Sequence, residues 1–425
     1  MDMRDVIKSS GVRNFAKLLS ANVVAQVIGL IVYPILTRVY APEDFGLLNL
    51  FLSISGVLLI LSTAELHYAI VLPKEETEGK TLVHLSALIL LVIVAITAFS
   101  TLFSTQIASL FNAPALAHYY WLMPLLVFAQ GAWNILNYWY IRHKKYAHIS
   151  GYQLSQSVLS SAGKIGLGYM GWLQGGMIYS TVFAPLLCIL LSGAMAWKKR
   201  IKPLFVRTNN SIWQLARTYK NFPLFSLPRS FVNMFAGQLP VFLLTPVFGS
   251  EYVGYWSMAL LLGFIPVSLI TKSVYQVLYQ HITNKVNSHL PIGIYFHKLT
   301  GLTIGVGLPL FVVLYFLLPT LTCWFLGEGW SETSTYIQWM LPWLLCSFLT
   351  GSSSFLSDVF FKQKIGFLFE LLLAILRVVG VGLGMLLHDF SVAIAGYALG
   401  SAVAVLAQYV WLLTLVKKYD CEIVS

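Results

Sequence analysis

Long apolar stretches separated by short polar gaps run along most of this chain of 425 residues. A helix of about 20 apolar residues crosses a hydrocarbon core of about 30 Å. With Lys, Arg, Asp, Glu, Gly and Pro clusters taken as punctuation, the pattern predicts helices over residues 15–40, 46–68, 82–104, 118–141, 151–172 and 176–196. A second set is predicted over 222–245, 253–275, 298–320, 336–358, 365–387 and 391–415. Twelve crossings place both termini on one side. The first stretch is about twice as long as a signal-peptide core and has no clear small-residue cleavage site after it, so it is expected to persist as a helix.

The longest polar gap, Lys198 to Lys220, divides the helices six and six. Across it the sequence faintly repeats. Val39-Tyr40-Ala41-Pro42-Glu43-Asp44-Phe45-Gly46 follows the first helix, and Val247-Phe248-Gly249-Ser250-Glu251-Tyr252-Val253-Gly254 follows the seventh. Trp121-Leu122-Met123-Pro124 is echoed by Trp339-Met340-Leu341-Pro342. Repeats with an even number of helices share one membrane orientation, as in other two-lobed transporters. The expected organisation is therefore a six-helix lobe over 1–197, a cytoplasmic linker over 198–220 and a second six-helix lobe over 221–425, enclosing a central cavity.

Composition agrees with this pattern and excludes a soluble globule: 58% of residues are hydrophobic and only 10% charged. Most Lys and Arg fall in the N-terminal arm, in alternate loops and in the tail, which the positive-inside rule assigns to the cytoplasm together with both termini. The opposite connections carry Glu43, Asp44, Glu251, Glu328, Glu332 and Asp389. The net charge of +11 thus reports topology, and no basic and aromatic patch in a soluble segment points to nucleic acid. Cys188, Cys323, Cys346 and Cys421 are scattered, so neither disulfides nor a metal site is expected. No HExxH, GxSxG or Walker lysine loop occurs, which argues against an enzyme and against ATP as the energy source. No cofactor is expected.

A few charges fall inside the apolar stretches. A lysine or arginine at the centre of a membrane helix costs about 2.5–3.5 kcal/mol on insertion scales, and such residues usually face a cavity. Lys164 and Arg377 lie deepest, near the middle of the predicted fifth and eleventh helices, and are candidates to bind an anionic cargo in a lumen. Aligning Gly166-x-Gly168 with Gly380-x-Gly382 leaves them one residue out of register, about 100° around a helix. Arg229, Lys272 and Arg38 lie closer to helix ends and complete the cationic set. Against these five stand Glu65, Asp358 and Glu370. Glu370 and Arg377 share a helical face but lie about 10 Å apart axially, which stretches a direct pair; a buried structural ion pair, with Glu370 or Glu65 as partner, is the rival role for Lys164 and Arg377. A cationic excess suits phosphate groups, which arginine can grip bidentately.

Several passages resemble a known family. Gly11-Val12-Arg13-Asn14-Phe15 leads into the Arg38 to Gly46 turn, followed by Tyr68-Ala69-Ile70-Val71-Leu72-Pro73-Lys74, Tyr219-Lys220-Asn221-Phe222-Pro223, Gln238-Leu239-Pro240 and Gln276-Val277-Leu278-Tyr279. In this order across twelve helices the chain is similar to the bacterial polysaccharide-biosynthesis membrane proteins, the O-antigen or oligosaccharide flippases (Wzx-type) of the multidrug/oligosaccharidyl-lipid/polysaccharide exporter (MOP) superfamily. The resemblance implies an all-α, two-lobed, MATE-like V-shaped fold in the inner membrane. It also implies transfer of an undecaprenyl-diphosphate-linked oligosaccharide between leaflets by alternating access, with polysaccharide polymerase and chain-length machinery as possible partners. Where the family pattern has an arginine near the end of the second helix, this chain has Glu65-Leu66-His67-Tyr68. Glu65, His67 and Glu370 are therefore candidates for ion coupling. A cation-coupled multidrug antiporter of the same fold is the alternative, and a membrane polysaccharide polymerase a more distant one.

Overall fold

The computed structural model describes residues 28–198, 212–360 and 362–424. The basic N-terminal arm, the start of the first predicted helix and residues 199–211 lie outside the described residues. All regular structure in the described residues is helical. The long helices are α1 (Ile28–Val39), α2 (Pro42–Leu61), α3 (Glu76–Ser100), α4 (Met123–Arg142), α5 (Tyr146–Tyr169) and α6 (Leu173–Lys198). There follow α7 (Leu227–Phe248), α8 (Ser250–Asn287), α9 (Gly293–Leu326), α10 (Ser331–Ser353), α11 (Gln363–Leu386) and α12 (Phe390–Val424). Each corresponds to one of the twelve predicted stretches. Among the described residues, eight segments are long and apolar enough to cross a membrane. Of the other helices, α4, α5 and α10 have the length but carry many hydroxyl and amide side chains. The protein is a multi-pass membrane protein.

Several boundaries differ from the hydropathy pattern. Helices α8, α9 and α12 are 38, 34 and 35 residues long, well beyond the apolar stretches that revealed them. The extra turns are amphipathic and pack on one another: Ile282, Ile292, Phe296, Leu412 and Val416 form a buried cluster with Phe355 and Leu356. Helix α2 ends at Leu61 instead of running to residue 68, because Ala64 and Glu65 take the left-handed conformation (φ 47° and 62°).

By contacts the chain divides into two compact units, Met1–Pro246 and Val247–Ser425. This boundary falls one helix later than the polar gap. Most of α7 packs on the first unit, where the Ser53 hydroxyl donates to Gln238 Oε1 at 2.8 Å and Gly56 lies directly beneath the Met234 side chain. Within the first unit, Leu82, Val83 and Leu90 of α3 meet Val127, Ile135 and Trp139 of α4. The Trp133 and Tyr152 rings stack at 3.5 Å and tie α4 to α5. Within the second unit, α11 and α12 approach so closely at Gly380 and Gly396 that their backbones touch, and Gly384 meets Ala393 in the same way. This is the small-residue packing that lets membrane helices gain van der Waals contact where apolar burial supplies no drive.

Candidate functional site

Helix α5 is the most polar membrane-length helix of the first unit. Spacings of 4, 7 and 11 residues put Gln153, Ser157, Ser160 and Lys164 in one row along it, with Ser150 and Ser161 beside them. Ile149 and Tyr152 beside it are buried, whereas Val158 and Ala162 on the far face are exposed. The row itself is half-buried throughout. Ser150 Oγ and Gln153 Oε1 are buried atoms without a hydrogen-bond partner in the protein. Buried polar groups are normally paired, so such atoms mark a place for water or a ligand. The period of polar positions between 150 and 164 is legible in the sequence, though its members before Lys164 carry no charge to mark them.

Lys164 ends the row. It sits five residues before the end of α5, nearer that end than the middle that hydropathy indicated, because the helix stops at Tyr169 ahead of Gly171 (φ 84°). The position is secured through the backbone: the Tyr40 hydroxyl donates to the Lys164 carbonyl at 2.6 Å. The Tyr40 ring occupies a socket where any side chain on Gly168 or Gly176 would collide with it. Tyr40 itself is held by the tight α1–α2 turn, in which Ala41 N–H donates to the Asp44 carboxylate at 3.0 Å. The repeated Tyr40 to Gly46 passage is thus the device that fixes Lys164.

Arg377 is held differently. Its Nε donates to the Ser401 hydroxyl of α12 at 2.9 Å, and its guanidinium carbon lies 5.2 Å from the Trp343 ring centroid and 4.7 Å from that of Tyr397. Cation–π contacts of this kind are worth about 2 kcal/mol or more when desolvated. The ion pair with Glu370 does not form; Glu370 is exposed. Ion pairs seen among the described residues, Glu76 with Lys80 and His143, and Lys418 with Glu422, include none of Lys164, Arg229, Lys272 and Arg377. Lys272 is exposed near the middle of α8, and Arg38 is exposed with its guanidinium bonded one turn back to the Pro34 carbonyl.

The third element is the turn after α2. Two consecutive left-handed non-glycine residues cost roughly 1–2 kcal/mol each, and such strain clusters at functional positions. Here it turns Glu65 and His67 inward, 4% and 6% exposed. The turn is clamped by Arg142, which donates to the Ile70 and Glu75 carbonyls, both at 2.8 Å. Thr63 shares a hydrogen bond with His67 Nδ1 at 2.6 Å, and Tyr138 meets the imidazole edge-on. Ser230 of α7 bonds the Glu65 carboxylate and the Arg229 charge acts on it, so Glu65, His67 and Arg229 come together in the first unit. Burial raises the Glu65 pKa, against the lowering effect of Ser230 and Arg229. Burial pushes His67 down from 6.5 to about 4, which keeps it neutral at pH 7.

A pH prediction follows from His67. The unfolded chain takes up this proton below pH 6.5 and the folded chain only near 4. Folding stability therefore falls as pH drops through that window, by up to about 3 kcal/mol. His67→Gln should remove this part of the decline in thermal-unfolding midpoint between pH 7 and 4.5. Parallel profiles for the two proteins would show that His67 is not held neutral.

Residues 35–335 match the family described as polysaccharide biosynthesis protein. The chain belongs to this family. Solved structures share its fold. An inward-facing multidrug resistance MATE family transporter of the MOP superfamily has a TM-score of 0.66 at 15% identity, covering 95% of this chain and 98% of that one. The lipid II flippase MurJ in an inward closed conformation scores 0.64 at 15% identity, over 96% and 89% of the two chains. A mutant of the Vibrio cholerae MATE transporter VcmN scores 0.57 at 14% identity, with 96% of each chain covered. No curated protein matches the chain in sequence. The family assigns the protein to polysaccharide biosynthesis, and the fold is one found in transporters and flippases.

Proposed function

We propose that the protein is a flippase and not an enzyme. It carries an undecaprenyl-diphosphate-linked oligosaccharide, an O-antigen or related repeat unit, from the cytoplasmic to the periplasmic leaflet of the bacterial inner membrane. The observation that carries this reading is the half-buried α5 row ending in Lys164, in a protein of the polysaccharide biosynthesis family. Amides and hydroxyls donate to and accept from sugar hydroxyls, and an unpaired ammonium attracts a diphosphate. A cation exporter is expected to present carboxylates instead.

In this reading both termini are cytoplasmic, and the two six-helix repeats, 1–197 and 221–425 joined by the 198–220 linker, work by alternating access. Arg229 and Lys272 receive the diphosphate from the basic side, and Lys164 holds it deeper in. Arg377, with its Nε and ring faces already engaged, acts mainly as a fixed positive charge. Arg38 contributes its charge near the outer end. Glu65, buried with a raised proton affinity, is the better coupling residue; neutral His67 orients the turn, and exposed Glu370 is a secondary candidate. A polymerase and chain-length machinery would receive the flipped product.

Deletion of the gene should cause a lipid-diphosphate glycan to accumulate, detected by mass spectrometry, with loss of surface polysaccharide and unchanged dye efflux. A strain with normal polysaccharide and impaired dye efflux would instead establish the antiporter of the same fold.

A further inference from the structure

Helices α9 and α12 bound a groove of about 1060 Å³ in the second unit, remote in sequence from the α5 row. Its length is apolar, lined by Ile304, Val410 and Leu413, and its end is polar, lined by His297, Lys417 and Asp420. At 1.5 Å per residue, the 35 residues of α12 extend about 52 Å, against a hydrocarbon core of about 30 Å. The apolar run of α12 closes at Val416 and is followed by Lys417 and Lys418, the pattern of a helix end at headgroup level.

The charge at that end is settled by the local bonds. Both Asp420 oxygens are engaged, accepting from the backbone N–H of Ile292 at 2.8 Å and of Gly293 at 2.7 Å, at the start of α9. Its carboxylate is thus turned toward the positive end of the α9 dipole, which partly offsets its charge. His297 Nδ1–H donates to the Gly293 carbonyl at 2.7 Å. Lys417 is exposed and forms none of the ion pairs described above, whereas the adjacent Lys418 pairs with Glu422 at 3.9 Å. A site that is apolar along its length and offers an exposed lysine at its end, beside a carboxylate already engaged by backbone N–H groups, matches an anionic lipid, and basic pockets between membrane helices bind such headgroups.

We propose that this groove is a binding site for an anionic phospholipid, with its phosphodiester at Lys417 and one acyl chain along Ile304, Val410 and Leu413. Gly301 leaves room for that chain, since a side chain there would enter open space. The groove lacks the long row of amides and hydroxyls that α5 offers a glycan, so the occupant is a phospholipid of the bilayer and not the cargo.

The test uses full-length purified protein and native mass spectrometry with phosphatidylglycerol and phosphatidylcholine of identical chains. The wild type should prefer phosphatidylglycerol. Lys417→Gln should weaken that preference about tenfold, equivalent to roughly 1.4 kcal/mol, while Lys418→Gln, which removes the same charge one residue away, should preserve it. Gly301→Leu should reduce bound lipid by filling the groove; if that variant does not fold, Thr414→Phe fills it from α12. Equal effects of the two lysine variants, or undiminished binding in the filled groove, would overturn the site. Failure of glycan transport in vesicles would count against the proposed cargo and leave these binding results standing.

Discussion

Lys164→Met is expected to reduce vesicle transport of a lipid-diphosphate glycan by about tenfold to a hundredfold, the loss of a charged hydrogen bond of roughly 1.5–3 kcal/mol. Methionine keeps the length of the side chain and removes the charge. Insertion should be unharmed, because a cation within a membrane helix is a cost and its removal a relief. The backbone anchor also survives, since Tyr40 bonds the Lys164 carbonyl and not its ammonium. Normal expression with lost transport is therefore the expected pair of results. Full transport by Lys164→Met would eliminate the diphosphate role, and failure to fold would assign Lys164 to structure. Arg377 provides the contrast, since its replacement removes a hydrogen bond and two ring contacts and should lower stability together with transport.

Gly380→Leu is expected to produce a large loss of stability in the second unit. A Cβ at this position would meet the Gly396 and Tyr397 backbone, which cannot rotate away as a side chain can. Overpacking usually costs about 1–3 kcal/mol, and with backbone on the receiving side the cost should be at or above the upper figure. Gly382→Leu is the control, because its added side chain meets nothing within 4 Å. The measurement is thermal unfolding and the monodisperse fraction after purification. Comparable midpoints for the two variants would show that the α11–α12 seam is looser than its geometry indicates. Arg377 lies one turn from Gly380 on the same helix, so a variant that opens the seam would also shift the cation relative to Trp343 and Tyr397.

The helices were legible because apolar length is a local property, and the Arg38 to Gly46 turn because Pro42 and Asp44 carry its capping chemistry in adjacent residues. The end of α2 was not legible. Ala64 and Glu65 are poor signals for left-handed backbone, and the Arg142 clamp that holds the segment after them comes from some 70 residues away in sequence. The partners of Arg377 are equally non-local: Trp343, Tyr397 and Ser401 come from α10 and α12, so hydropathy could expose the buried charge but not say what satisfies it. Depth was misjudged for Lys164 because a hydropathy window centres on apolar residues and is blind to where the helix stops. The extensions of α8, α9 and α12 were missed for the complementary reason, since amphipathic turns beyond the hydrocarbon look like loop by composition.

The placement of the α5 row bears on how such a protein could diversify. The side chains proposed to meet sugar are half-buried, whereas the packing of α5 on α4 rests on the buried Tyr152 and its stacked partner Trp133. Exchange among serine, threonine, asparagine and glutamine along that row would alter the hydrogen-bonding code while leaving the packing in place. A new glycan preference could thus be grafted by transplanting one segment of 24 residues, Tyr146–Tyr169, into a chassis that keeps its Tyr40 socket.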